Sequence, residues 1–131
     1  MLILNGYFIS YQYIKNQTMH ELSIVMNIVD IANDYLKKAN AKKILEIELE
    51  IGTLSGVDFA ALDFALEVGV QDSIISNSKK IINKIQAKAQ CLECQHKFEI
   101  DSYYYHCPEC NGFRFDILQG KELRVKSITV D

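Results

Sequence analysis

Along residues 21–39 the apolar side chains Leu22, Val25, Ile28, Val29, Ala32, Tyr35, Leu36 and Ala39 recur in steps of three and four. Asn27, Asp30, Asn33, Asp34, Lys37 and Lys38 fill the other side. That period predicts an amphipathic helix packed along one face. The pattern then switches to strict alternation, Leu45, Ile47, Leu49 and Ile51 against Glu46, Glu48 and Glu50. Period two with one charged face predicts an antiparallel strand half exposed to water. Gly52 and Gly56 predict a turn, and Asp58 is positioned to cap a second helix that buries Phe59, Leu62, Ala65, Leu66 and Val70. Further on, Ile85, Ala87 and Ala89 alternate with Lys84, Gln86, Lys88 and Gln90 in a strand that runs into Cys91. Phe113, Phe115 and Ile117 alternate as well. Gln119-Gly120 then turns the chain into a last strand, Leu123–Val130, whose alternation slips near Ser127, where a bulge is expected.

The four cysteines form two Cys-x-x-Cys pairs, Cys91/Cys94 and Cys107/Cys110. Each pair can fold into a tight turn with both sulfurs inward, and the segment between them is long enough for a short hairpin. Two such turns face to face make a tetrahedral four-thiolate site suited to Zn(II). A closed site of this kind has no open position for a substrate, which points to structural metal. The expected fold is therefore α+β: two helices packed on a small antiparallel sheet, with an inserted four-cysteine zinc-knuckle β-hairpin lobe. Residues 89–119 form the zinc-binding unit, residues 19–88 with 120–131 the α+β unit, and residues 1–18 an extension in front.

Composition narrows the function. A chain of 131 residues holds one modest core plus a small metal-stapled lobe. The net charge is −3, and the knuckle region sets Glu93, Glu99, Asp101, Glu109 and Asp116 against Lys97 and Arg114. An acidic knuckle argues against nucleic acid, because phosphate contacts need a basic footprint. One metal site accounts for every cysteine, so a cytoplasmic location is expected. Residues 1–14 are interrupted by Asn5, Gly6, Ser10 and Gln12, too short for a membrane span of ~20 residues and without the marks of a signal peptide.

No enzyme constellation emerges. Ser23 and Ser55 lack a matching histidine and acid, and no glycine-rich phosphate loop exists. The Glu46/Glu48/Glu50 row reads as a solvated strand face. His96 and His106 flank the knuckles, where a histidine tunes a thiolate or sits in solvent, and His20 alone is a polar residue ahead of a helix. From the residues themselves, a zinc-stapled interaction domain, a rubredoxin-like iron carrier and a zinc-ribbon module all stay open.

Met19-His20-Glu21-Leu22-Ser23 opens a helix; Ile51-Gly52-Thr53-Leu54-Ser55-Gly56-Val57 and Leu62-Asp63-Phe64-Ala65 follow; both knuckles and Gly120-Lys121-Glu122-Leu123-Arg124-Val125-Lys126-Ser127 close the chain. In this order the motifs resemble the hydrogenase nickel-insertion proteins of the HypA/HybF family, over residues 19–131. The resemblance implies a metallochaperone and not an enzyme. It implies Ni(II) as cargo at His20, with Glu21 and Met19 beside it, and structural Zn(II) on Cys91, Cys94, Cys107 and Cys110. The implied partners are a nickel-handling GTPase, the large subunit of [NiFe]-hydrogenase and, in some bacteria, urease accessory proteins. In the family the Met-His-Glu is the N-terminus itself, so residues 1–18 are a departure. Met19 as the true initiator is the favoured explanation, since residues 1–18 show neither helical periodicity nor a targeting signature; a genuine extension is the other.

Overall fold

The computed structural model describes residues 2–8, as backbone, and residues 21–131. In chain order the elements are β1 (Leu2–Phe8), α1 (Glu21–Lys38), β2 (Ile44–Gly52), α2 (Phe59–Val68), β3 (Lys79–Ile85), β4 (Lys88–Cys91), β5 (Lys97–Glu99), β6 (Phe115–Gln119) and β7 (Leu123–Val130). The fold class is as expected: two helices, small largely antiparallel sheets and a clustered set of four cysteines.

Helix α1 carries Glu21 in its first turn and Lys37 and Lys38 in its last, each sign matching the helix dipole. It stops at Asn40, whose φ of 49° places it in the left-handed region. The Ala41 N–H reaches the Leu36 carbonyl and the Asn40 N–H reaches Lys37, the paired bonds of a Schellman cap. Its buried stripe is Ile24, Val25, Ile28, Ala32 and Tyr35. Leu22, placed on that stripe by periodicity, is instead 54% exposed, because at the first turn the stripe enters the core through Ile24 and Val25. The cap expected at Asp58 is present, its side chain accepting from the Ala61 N–H at 3.1 Å. Val70 is buried beyond the end of α2.

The main sheet has the order β1-β7-β2-β3. β7 runs antiparallel to β2, but β3 runs parallel to it, Glu46 level with Lys79 and Gly52 with Ile85. Helix α2 makes the crossover that a parallel pair requires. The expected strand through Ile85, Ala87 and Ala89 is thus two strands in two sheets. β3 ends at Ile85, and β4 begins a second sheet of order β5-β4-β6. Phe113 lies ahead of β6 and is exposed. The slip near Ser127 is a register shift: Glu48 pairs with Ser127 and Leu49 with Val125, leaving Lys126 as the extra residue of the bulge.

One face of the main sheet packs on the helices through Ile47, Leu49, Ile51, Val125, Ile128 and Val130. The second core is small. Ala87, Ala89 and Ile100 are joined by Leu54, which comes from the loop after β2, and Phe98, Tyr105, Phe115 and Ile117 pack around them. The two sheets meet at glycines: the Leu54 N–H donates to the Gly120 carbonyl at 2.7 Å, and Thr53 Oγ1 accepts from the Ala87 N–H at 3.0 Å.

Candidate metal centre

Each Cys-x-x-Cys segment folds into the same turn. The Cys91 N–H donates to the His96 carbonyl and the Gln95 N–H to the Cys91 carbonyl. At the same spacing, Cys107 donates to Gly112 and Asn111 to Cys107. The fifth residue of each turn sits in the left-handed region, Gln95 at φ 69° and Asn111 at φ 63°. The first knuckle is the bend of the β4–β5 hairpin, and the second leads into β6. The expected hairpin thus spans a knuckle instead of filling the segment between the two.

All four sulfurs lie within 4.8 Å of one another, with Cys91 to Cys110 at 3.6 Å and Cys94 to Cys107 at 3.5 Å. A tetrahedron with Zn–S bonds of about 2.3 Å has edges of about 3.8 Å, so these sulfurs fit one ion between them. Cys91 and Cys107 are buried, Cys94 and Cys110 exposed, which leaves one side of the cluster near solvent.

The peptide groups of the turns prepare the sulfurs for a cation. The Cys94 N–H is the main influence drawing the Cys91 thiol down to about 7, with the Glu93 N–H adding and burial opposing. The Gly112 N–H acts likewise on Cys110, but the Cys91 sulfur, burial and the other two sulfurs outweigh it and push that thiol up to about 12. Cys94 is also raised: the His96 N–H favours its thiolate, while burial and the Cys107 sulfur outweigh it. Four sulfurs this close cannot all be anionic without a metal, so a divalent ion must displace protons. Zinc added to the metal-free chain in unbuffered solution at neutral pH is expected to acidify it. Affinity should fall roughly tenfold per pH unit for each proton displaced as the solution is taken below neutrality. Chelator competition across that range checks this, and a flat profile would contradict it.

His96 and His106 stand outside the ligand set. His96 stacks on Phe98, Phe98 on Tyr105, and Tyr105 on His106, with ring centroids about 6 Å apart. The Glu46/Glu48/Glu50 row is less solvated than alternation suggests. Glu50 accepts from Arg124 Nε at 2.6 Å, and Glu48 from Asn83 at 2.6 Å and Ser127 at 3.2 Å. The Asn83 bond is the main reason the Glu48 carboxyl sits below its ordinary range.

Of the expected nickel residues, Met19 and His20 lie outside the described residues. Glu21 opens α1, and its Oε1 accepts from the Asp58 N–H at 3.1 Å. In a capping box, the third residue of a helix reaches back to the cap's own N–H. In α2 that third residue is Ala61, which cannot do so, and Glu21 of the other helix closes the box instead. In the sequence Asp58 reads as a cap and Glu21 as a metal neighbour; only the fold joins them.

A family model described as hydrogenase/urease nickel incorporation, metallochaperone, matches residues 19–130. The hydrogenase maturation factor HypA of Parabacteroides distasonis is 39% identical over 112 residues, covering 86% of this chain and 97% of its own. That of Geotalea uraniireducens is 37% identical over 113 residues, 86% of this chain and 100% of its own. The chain belongs to the HypA family. HypA proteins are hydrogenase-maturation nickel metallochaperones, and the cysteine cluster is consistent with a zinc site in that setting. The solution structure of the nickel metallochaperone HypA from Helicobacter pylori superposes with a TM-score of 0.59 at 27% identity, covering 86% of this chain and 97% of that one. A second HypA solution structure gives 0.62 at 26% identity, covering 88% and 98%. Among the described residues, no helix is long and apolar enough to cross a membrane.

Proposed function

We propose that this chain takes up Ni(II) at the start of α1, through His20 with Glu21 and Met19 beside it, and releases it to a nickel-handling GTPase for delivery to the large subunit of [NiFe]-hydrogenase. Urease accessory proteins are a second class of recipient. Zn(II) on Cys91, Cys94, Cys107 and Cys110 is structural, and the protein works as a binding protein of the cytoplasm. We also divide the chain into an α+β nickel unit, residues 19–88 with 120–131, and a zinc unit, residues 89–119.

The observation that carries this reading is the family match over residues 19–130, which begins at the Met-His-Glu. The metal centre supports it from the other side. Four converging thiolates form a closed set that suits a soft-ligand tetrahedral ion and leaves no position from which cargo could be exchanged. Ni(II) favours nitrogen-rich square-planar ligation, which an imidazole and backbone amides near a helix start supply. Such ligands exchange at a surface, so cargo passes to a partner without unfolding the zinc unit. Because the imidazole must be neutral to ligate, nickel affinity falls as pH drops through the histidine range.

The test is a nickel titration of zinc-loaded protein. His20→Ala should lose more than the roughly 100-fold that removal of an outer-shell partner costs, with zinc content unchanged. Unaltered nickel affinity in that variant removes His20 from the site. A parallel titration of chains starting at Met1 and at Met19 reports whether residues 1–18 alter the donor set. A red, iron-containing protein on purification would turn the cysteine cluster into an electron-transfer site instead.

A further inference from the structure

β7 has a neighbour on each side, β2 and β1. The family match begins at residue 19, and the relatives are covered over 97% or more of their own length, so β1 lies outside what is shared. Without β1, β7 is an edge strand of eight residues with a row of unpaired N–H and C=O groups. Natural edges are guarded by proline, by outward charge or by a bulge. β7 holds no proline. Its Arg124 and Lys126 are drawn towards β2, to Glu50 at 2.6 Å and Glu48 at 3.5 Å. The bulge at Lys126 remains, yet β1 crosses it in unbroken register: Leu4 with Ile128, Asn5 with Ser127, Tyr7 with Val125.

We propose that Leu2–Phe8 is a resident strand that keeps the β7 edge from pairing with the β7 of a second copy of this chain. The sequence of β7 fits such a partner. Antiparallel pairing about a twofold axis between Lys126 and Ser127 sets Val125 level with Ile128 and Leu123 level with Val130, all four buried on the core side of the sheet. Arg124 meets Thr129 and Lys126 meets Ser127, so no like charges face each other. The bulge makes this possible, because it shifts the alternation by one residue between the two apolar pairs. The result is an isologous dimer with one continuous sheet, three strands (β7, β2 and β3) from each copy.

The experiment compares three zinc-loaded proteins by sedimentation across micromolar concentrations: the whole chain, the chain starting at Met19, and the whole chain carrying Leu4→Pro with Asn5→Pro. Adjacent prolines remove two successive N–H groups, one of which must face β7 in an antiparallel ladder. The whole chain is expected to be monomeric and both altered chains to reach dimer mass with rising concentration. A peptide of residues 1–8 added to the Met19 chain should return it to monomer. In the dilute monomer, β7 amides freed from β1 should exchange at least ~10-fold faster than in the whole chain. Monomeric behaviour of both altered chains, or a dimer of the unaltered one, overturns the proposal. The double-proline chain decides the matter if the shorter chain fails to fold, judged by helical circular dichroism and zinc content.

Discussion

Cys91→Ala is expected to strip the metal and unfold β4, β5 and β6 while α1 and α2 persist. Cys91 is fully buried at the end of β4, and its sulfur lies 3.6 Å from that of Cys110. Little else holds this part together. Among the described residues its buried apolar core is Leu54, Ala87, Ala89 and Ile100, and the two alanines contribute little buried area. Structural zinc in small domains contributes on the order of 10 kcal/mol at neutral pH, more than such a core can offer. The helices rest on a separate and much larger cluster from Ile24 to Val130. Metal analysis should therefore fall from one zinc per chain to none, with the amide signals of residues 88–119 collapsing and the helical circular dichroism largely retained. Dispersed signals from that segment in metal-free protein would show that its side chains suffice.

The second large effect lies where the two sheets touch. A Cβ on Gly52 would overlap the carbonyl group of Gly120, and a Cβ on Gly120 would overlap the backbone of Ala87. Gly120 also sits at φ 116°, a conformation that side chains rarely adopt. The obstacles are main-chain atoms and the Cβ of Ala87, held by hydrogen bonds from the Gly52 N–H to the Glu122 carbonyl at 2.8 Å, the Leu54 N–H to the Gly120 carbonyl at 2.7 Å and the Ala87 N–H to Thr53 Oγ1 at 3.0 Å. No rotamer change relieves such a clash. Gly52→Ala and Gly120→Ala should each cost ~3 kcal/mol or more, lowering Tm by roughly 10 °C. Gly112→Ala is the informative control. Its Cβ would meet chiefly the end of the Glu93 side chain, which can swing away, so a much smaller shift is expected.

What the chain discloses to a reader of its sequence depends on range. The stripe of α1, the alternation of β2, the Asp58 cap and the slip at Ser127 are local patterns, and each is present in the fold. The cysteine spacing is equally local in meaning, because each knuckle closes over five residues. β3 escapes such a reading since Lys79-Lys80-Ile81-Ile82-Asn83-Lys84-Ile85 does not alternate; its pairing is fixed by the α2 crossover. β1 escapes for the same reason: Leu2-Ile3-Leu4-Asn5-Gly6-Tyr7-Phe8 does not alternate, and its place in the sheet is set by pairing with β7 at the far end of the sequence. Leu54 reads as a turn residue after β2, yet it fills the core beneath the β5-β4-β6 sheet, and Tyr103 Oη donates to its carbonyl at 3.4 Å. Nothing in a linear pattern says that a loop will plug a neighbouring core.

The bond between Glu21 and the Asp58 N–H brings the starts of two helices together. Each helix start carries about half a positive charge, so the pair alone would present roughly one full unit and repel an arriving cation. Glu21 and Asp58 each place a carboxylate there, reversing the sign of the local field while each accepts a helix-capping N–H. Charge reversal and helix capping thus rest on the same two side chains, so neither can be neutralised without loosening the junction between the two helix starts.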